Sequence, residues 1–153
     1  MKTFDSDEQF MKLALQEAQK SKRLYEVPVG AVIVMNGEVI SKSHNKSIYQ
    51  NDPTSHAEIN TIRKASENLG NYRLTGATLY STLEPCAMCY GAIIHARISR
   101  LVFGTYDPKT GVCGSSINLH EQECFNHTPD ILGGVLEEDC SLILKDFFKE
   151  RRN

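Results

Sequence analysis

The sequence predicts an α/β domain with helices packed on the faces of a sheet. Helical and strand patterns alternate along the chain, which is the order such a fold requires. A content of 41% apolar and 24% charged residues is that of a soluble globular protein. The 153 residues contain no repeat, low-complexity tract or Gly/Ser-rich linker, so one domain spanning 1–153 with a core of ordinary size is expected.

The elements follow in order. "SDEQFMKLALQEAQKSKR" reads as a helix: Ser6 and Gln9 have capping-box spacing, and Phe10, Leu13, Ala14 and Ala18 share a face. "VGAVIVMNGEVISKS" reads as a hairpin turning at Asn36-Gly37. After the polar loop "HNKSIYQNDPT", "SHAEINTIRKASENLG" reads as a second helix capped at Gly70. "ATLYSTL" is a strand running into Pro85, where a third helix starts and runs through "AMCYGAIIHAR". "RLVFG" is another short strand. "LEEDCSLILKDFFKERR" is a closing helix with Cys140, Ile143, Leu144 and Phe147 as its apolar stripe.

Bulk features exclude several classes. No apolar run approaches the ~18 residues that cross a bilayer, and "MKTFDSDEQF" lacks the apolar segment of a signal peptide. A cytoplasmic protein with no membrane partner is expected. An odd count of five cysteines argues against a disulfide framework. The net charge of −2 gives no sign of nucleic acid, so any such site must be a local basic patch.

Two cysteines sit together in "TLEPCAMCYGAI". Cys86 and Cys89 are one helical turn apart and can face one point. Metal binding, a redox pair and plain packing all fit a lone C-x-x-C. Cys113, Cys124 and Cys140 are scattered singly and read as packed small residues. Upstream, "PTSHAEINTI" puts His56 at a helix start with Glu58 two positions on. His56, Cys86 and Cys89 form a three-ligand set of the types zinc prefers, and three protein ligands leave the open position of a catalytic zinc. Both segments are expected helix N-termini, which stabilise thiolates. Glu58 has two readings. With Ser55 it matches a capping box. Alternatively, since both residues lie in a first turn, His56 binds the metal while the carboxylate addresses its water.

H-x-E followed by P-C-x-x-C is the signature of the zinc nucleobase deaminases. With "EVPVGAVIV", "HNKSI", "DPTSHAEI", "NYRLTGATLYSTLEPCAMCYGAIIHARI", "RLVFGTYDPKTGVCGS", "FNHTPDILGGVL" and "DFFKERR", the chain resembles the bacterial tRNA-specific adenosine deaminases over almost its whole length. That resemblance implies a three-layer α/β/α cytidine-deaminase-like fold with a central mixed sheet of about five strands flanked by helices. It implies one Zn2+ per chain on His56, Cys86 and Cys89, Glu58 as the proton shuttle, and hydrolytic conversion of the wobble adenosine of a tRNA anticodon to inosine. It also implies that Asn45 hydrogen-bonds the base and that Asp107 meets the backbone or ribose beside it. A turn residue and an Asx-turn remain the plain readings of these two. Phosphate contacts are expected from Lys109 and from Lys145, Lys149, Arg151 and Arg152. Phe148 is either core or a stacking platform. The family forms homodimers, and the anticodon stem-loop is the expected partner. A deaminase of free guanine or cytosine is the alternative enzyme, and a structural-zinc or redox C-x-x-C module the non-catalytic one.

Overall fold

The computed structural model describes residues 5–152. Helix α1 spans Asp5–Arg23, α2 Ala57–Leu69, α3 Ala87–His95 and α4 Glu137–Arg152. The strands are β1 (Gly30–Met35), β2 (Glu38–His44), β3 (Thr78–Leu83), β4 (Arg100–Thr105) and β5 (Asp130–Leu132). They form one sheet in the order β2-β1-β3-β4-β5. β1 pairs antiparallel with β2 and β3, whereas β3, β4 and β5 run parallel. The sheet is therefore mixed and five-stranded, as expected.

Period-2 side-chain alternation divides the strands between two cores. Ile33, Leu79, Leu101 and Phe103 point to the face covered by α2 and α3, with Ala65, Tyr90 and Ile93. Val32, Val34, Tyr80 and Val102 point to the opposite face, under Met11 and Ala14 of α1 and Cys140 of α4. The result is three layers, α/β/α. Each fully buried Leu or Ile contributes about 1.5–3 kcal/mol through removal from water.

Local chemistry sets the boundaries. Asn36 (φ 52°) and Gly37 (φ 77°) both take positive φ, the requirement of a two-residue primed turn, so the hairpin turns where the sequence placed it. Gly70 closes α2 in the left-handed conformation, also as expected. At Gly30 the first strand crosses α1 so closely that a Cβ would lie 1.9 Å from the Ala14 carbonyl oxygen. Only glycine permits that approach.

Three expectations are corrected and two features are added. Ser6 lies inside α1 and is no cap. Cys86 is the N-cap of α3, and Pro85 precedes it, its carbonyl accepting the Val112 N–H at 3.1 Å. That helix stops at His95 because Arg97 turns to φ 62°. The three-residue β5 was not anticipated, since so short a strand carries no pattern. Nor was the buried anchor of α1: Asp7, 0% exposed, accepts both Arg100 guanidinium nitrogens at 2.7 and 2.8 Å and the Tyr80 hydroxyl at 2.7 Å. Among the described residues no helix is long and apolar enough to cross a membrane.

Candidate active site

The loops that follow β2, β3 and β4 meet at one end of the sheet, the carboxyl end of its parallel strands, where ligands of α/β folds gather. His56 is the N-cap of α2 and Cys86 the N-cap of α3, so two helix N-termini converge there. The Nδ1 of His56 lies 3.7 Å from Cys86 Sγ and 3.5 Å from Cys89 Sγ. Tetrahedral zinc with Zn–N near 2.05 Å and Zn–S near 2.3 Å separates such atoms by about 3.6 Å. The donor set thus fits zinc in type and spacing. Among the described residues these three are the one group of side chains gathered closely enough to hold a metal ion.

The protonation chemistry agrees. The hydrogen bond from Cys89 holds the Cys86 thiol down to about 4, and the same contact together with burial pushes Cys89 up. A divalent cation suits this pair, because it neutralises both thiolates at once. Elemental analysis of tag-free protein is expected to give one zinc per chain. Folded protein that carries no metal would refute the ligand set.

Glu58, in the first turn of α2, is 4% exposed. Burial pushes its carboxyl up to about 7. The capping-box alternative is not realised. The Ser55 N–H donates to the Asp52 carbonyl at 3.1 Å, and the Ser55 hydroxyl donates to Gln50 Oε1 at 2.6 Å and accepts from Asn60 Nδ2 at 3.0 Å. The α2 N-terminus is instead served from outside the helix: Asn45 Oδ1 accepts the Ala57 N–H at 2.7 Å.

Asn45, His56, Glu58, Cys86 and Asp107 line one pocket of about 220 Å3, closed by Val27, Val29 and Leu83. Asn45 also donates through Nδ2 to the Val27 carbonyl at 3.2 Å. Asp107 makes the Asx-turn read from the sequence. Its Oδ1 accepts the Lys109 and Thr110 N–H groups at 3.1 and 3.2 Å, and its Oδ2 accepts the Thr110 hydroxyl at 2.7 Å. Lys109 is exposed on the same turn. Phe148, Arg151 and Arg152 lie outside this pocket, on the exposed side of α4. The Arg151 guanidinium sits 5.5 Å over the Phe147 ring, and Arg152 Nε donates to the Phe148 carbonyl at 3.3 Å.

Sequence reasoning missed Glu84. It is 2% exposed and its carboxylate accepts four hydrogen bonds: from the Asp107 N–H at 3.0 Å, the Cys113 N–H at 2.8 Å, the Ser115 N–H at 3.2 Å and the Ser115 hydroxyl. It pins the 107–115 loop to the pocket. A carboxylate directly after β3 and ahead of Pro85 was the one available signal. Glu26, 2% exposed, does the same for the opposite wall by accepting the Ile48 and Tyr49 N–H groups at 3.2 and 2.8 Å.

Comparison with known proteins agrees with this geometry. Residues 4–105 match the cytidine and deoxycytidylate deaminase zinc-binding region. The chain is 48% identical over 146 residues to the tRNA-specific adenosine deaminase of Bacillus subtilis, covering 95% of this chain and 91% of that protein. It is 50% identical over 147 residues to that of Haemophilus influenzae, covering 95% and 85%. A solved tRNA:A34 deaminase, studied for A-to-I editing at the wobble position, superimposes with a TM-score of 0.87 at 48% identity, over 89% of this chain and 99% of that one. Guanine deaminase from Bacillus subtilis is more distant, at a TM-score of 0.64 and 31% identity over 95% and 94%. The chain belongs to the family of the cytidine and deoxycytidylate deaminase zinc-binding region and, within it, to the tRNA-specific adenosine deaminases.

Proposed function

We propose that the chain hydrolyses the wobble adenosine of a tRNA anticodon to inosine, and that it works as a homodimer. The observation that carries the reading is the convergence of the His56, Cys86 and Cys89 donors with buried Glu58 on a pocket walled by Val27, Val29 and Leu83. When bound, zinc supplies Lewis acidity that brings the pKa of a coordinated water to about 7.

The chain's own residues do the rest. Glu58 takes a proton from the attacking water and delivers it to a ring nitrogen of adenine, which relieves the resistance of the aromatic amidine to attack. As the C6–N bond breaks and the C6 carbonyl forms, Glu58 hands a proton to the departing ammonia. Atoms balance: adenosine and water give inosine and ammonia. The apolar walls exclude bulk solvent around the base. Asn45 has spent Oδ1 and one Nδ2 proton on the protein, which leaves its second Nδ2 proton for the base edge. Asp107, held by Glu84, stands at the rim for the neighbouring ribose. Lys109 and the basic end of α4, with Phe148, Arg151 and Arg152, supply cations and a ring outside the pocket for the rest of the loop. An anticodon loop suits such a pocket because its bases are already unpaired, so extrusion costs less than from a duplex.

The exposed side of α3 supports the homodimer. Ala87, Met88 and His95 face outward there, beside a shallow groove lined by Ile62, Tyr72 and Ala92. Tyr72 in this groove is 71% exposed and Met88 on α3 38%, and exposed apolar side chains on one face mark protein contacts.

Identities of 48% and 50% to tRNA-specific deaminases, against 31% to a guanine deaminase, favour the tRNA substrate over a free base. Purified protein is expected to form inosine in an anticodon stem-loop bearing a wobble adenosine and to leave free guanine, cytosine and adenosine untouched. Turnover of a free base, with none of the stem-loop, would overturn the substrate assignment.

A further inference from the structure

We propose that the neighbouring C-terminal ends of α1 and α4 form a docking surface for unpaired RNA, with Tyr25 as its stacking platform. The inference rests on the deaminase reading and extends it beyond the catalytic pocket to the nucleotides around the extruded base.

Helix α1 ends in a Schellman arrangement. The Glu26 N–H donates to the Ser21 carbonyl and the Tyr25 N–H to the Lys22 carbonyl, both at 3.0 Å. The residue that closes the tighter of these two bonds takes the left-handed conformation, and glycine is the usual occupant. Gly70 fills that role at the end of α2, with φ 63°. At the end of α1 the occupant is Tyr25, with φ 59° and 82% of its surface exposed. A bulky side chain is strained there, and this ring recovers little of the cost by burial. Arg97 takes the same conformation at the end of α3, but its guanidinium donates to Asn126 Oδ1 at 2.8 Å, whereas the Tyr25 ring stands open to a ligand.

The surroundings say what the ring meets. The last turn of α1 carries Lys20, Lys22 and Arg23, and that of α4 carries Lys149, Arg151 and Arg152. Glu17 pairs with Lys20 at 2.6 Å and Glu150 with Lys22 at 3.6 Å. Six cations against Glu17, Glu26, Asp146 and Glu150 leave a net positive patch on a chain whose net charge is −2. One or two cations complement a helix C-terminus, so the dipoles do not account for the density. Tyr25, Lys22, Arg23, Phe147 and Arg151 line one shared depression. Cations beside an open aromatic ring form the platform on which unpaired bases stack while the phosphates are neutralised.

The chain leads from the patch directly to the catalytic pocket. Val27, two residues beyond Tyr25, lines that pocket. Between them, Glu26 ties down the exposed Ile48–Tyr49 tip. Leu144 of α4 packs in the same cluster as Val27 and Leu83. An RNA loop with one base in the pocket therefore passes Tyr25 before its stem reaches the basic helix ends.

The test is Tyr25→Gly, because the two effects should move in opposite directions. Relief of strain is expected to leave Tm unchanged or raise it by about 2–4 °C. Affinity for an anticodon stem-loop with wobble guanosine, which offers no amino group at C6, is expected to fall about tenfold for one lost stacking contact. Tyr25→Phe should keep wild-type affinity, and Arg23→Glu combined with Arg151→Glu should flatten the salt dependence. Unchanged affinity in Tyr25→Gly, with wild type still forming inosine, overturns the docking surface and leaves the deaminase reading standing. A lower Tm in Tyr25→Gly also overturns it, since the ring would then be supporting the fold. Absence of inosine with wild type is instead a failure of the deaminase reading.

Discussion

Glu58→Gln is expected to give a folded, zinc-loaded protein that binds the anticodon stem-loop and forms almost no inosine. Glutamine is nearly isosteric and keeps polar atoms in the buried slot, so the packing of Glu58, 4% exposed, is preserved. The change also removes a buried acid, so the fold has no electrostatic reason to weaken. Glutamine cannot accept a proton and return it, however. General acid–base catalysis is worth roughly 10²–10⁴-fold. One carboxylate here serves several transfers in succession, so the loss should reach the top of that range. The two roles open to this residue also separate. The Ser55 groups that a capping box would use are already bonded to Asp52, Gln50 and Asn60, so no cap is lost. Single-turnover rates with saturating enzyme measure the step directly. A variant that retains more than about a tenth of the wild-type rate would remove Glu58 from the chemistry.

The second large effect is expected at Glu84, and it should fall on stability and substrate positioning together. Its two oxygens accept from the Asp107, Cys113 and Ser115 N–H groups and the Ser115 hydroxyl. In Glu84→Gln one oxygen becomes an amino group, which faces at least one backbone N–H. The Ser115 hydroxyl can rotate to accept, but a peptide N–H cannot. Losing a hydrogen bond to a buried carboxylate and leaving a buried donor unpaired costs about 2–4 kcal/mol. For a chain of this size that lowers Tm by about 5–15 °C. The loop so released carries Asp107 and Thr110 at the pocket rim, so KM for the stem-loop should rise about tenfold while kcat falls less, on the scale of one lost contact. Amide exchange at Asp107, Cys113 and Ser115 should quicken, and zinc content should hold. Ser115→Ala, which removes only the hydroxyl contact, should shift each measurement the same way by a smaller amount. Wild-type protection of those three amides in Glu84→Gln would show that the carboxylate does not hold the loop.

The sequence by itself marked out the candidate site and most of the elements. His56, Cys86 and Cys89 announce themselves because metal chemistry accepts few residue types, and because cysteines three apart at a helix start can converge by local geometry alone, while Glu58 stands out by its place two residues after His56. The Asn36-Gly37 turn and the Gly70 cap were readable for a related reason. Positive φ is a local demand that few residues meet, so the residue reports the conformation. Amphipathic helices and apolar strands were legible from their periods. What tertiary structure decided lies where one local pattern has two physical outcomes. S-x-x-E at Ser55 fits a cap as well as a catalyst, and Gln50, Asn60 and Asn45, which approach through the fold, take up the groups that the cap would use. Ser6 matches a cap and sits inside a helix. Glu84 and Glu26 looked like ordinary surface carboxylates. Their burial exists only because two loops close over them and offer backbone N–H groups, a long-range arrangement with no period in the chain. Asp7 is the same case, since its partner Arg100 is distant in sequence and meets it only across the folded sheet. A residue's type limits the chemistry it can do. Whether a carboxylate becomes catalyst, clamp or solvated charge depends on which donors the fold brings to it and whether water is kept out.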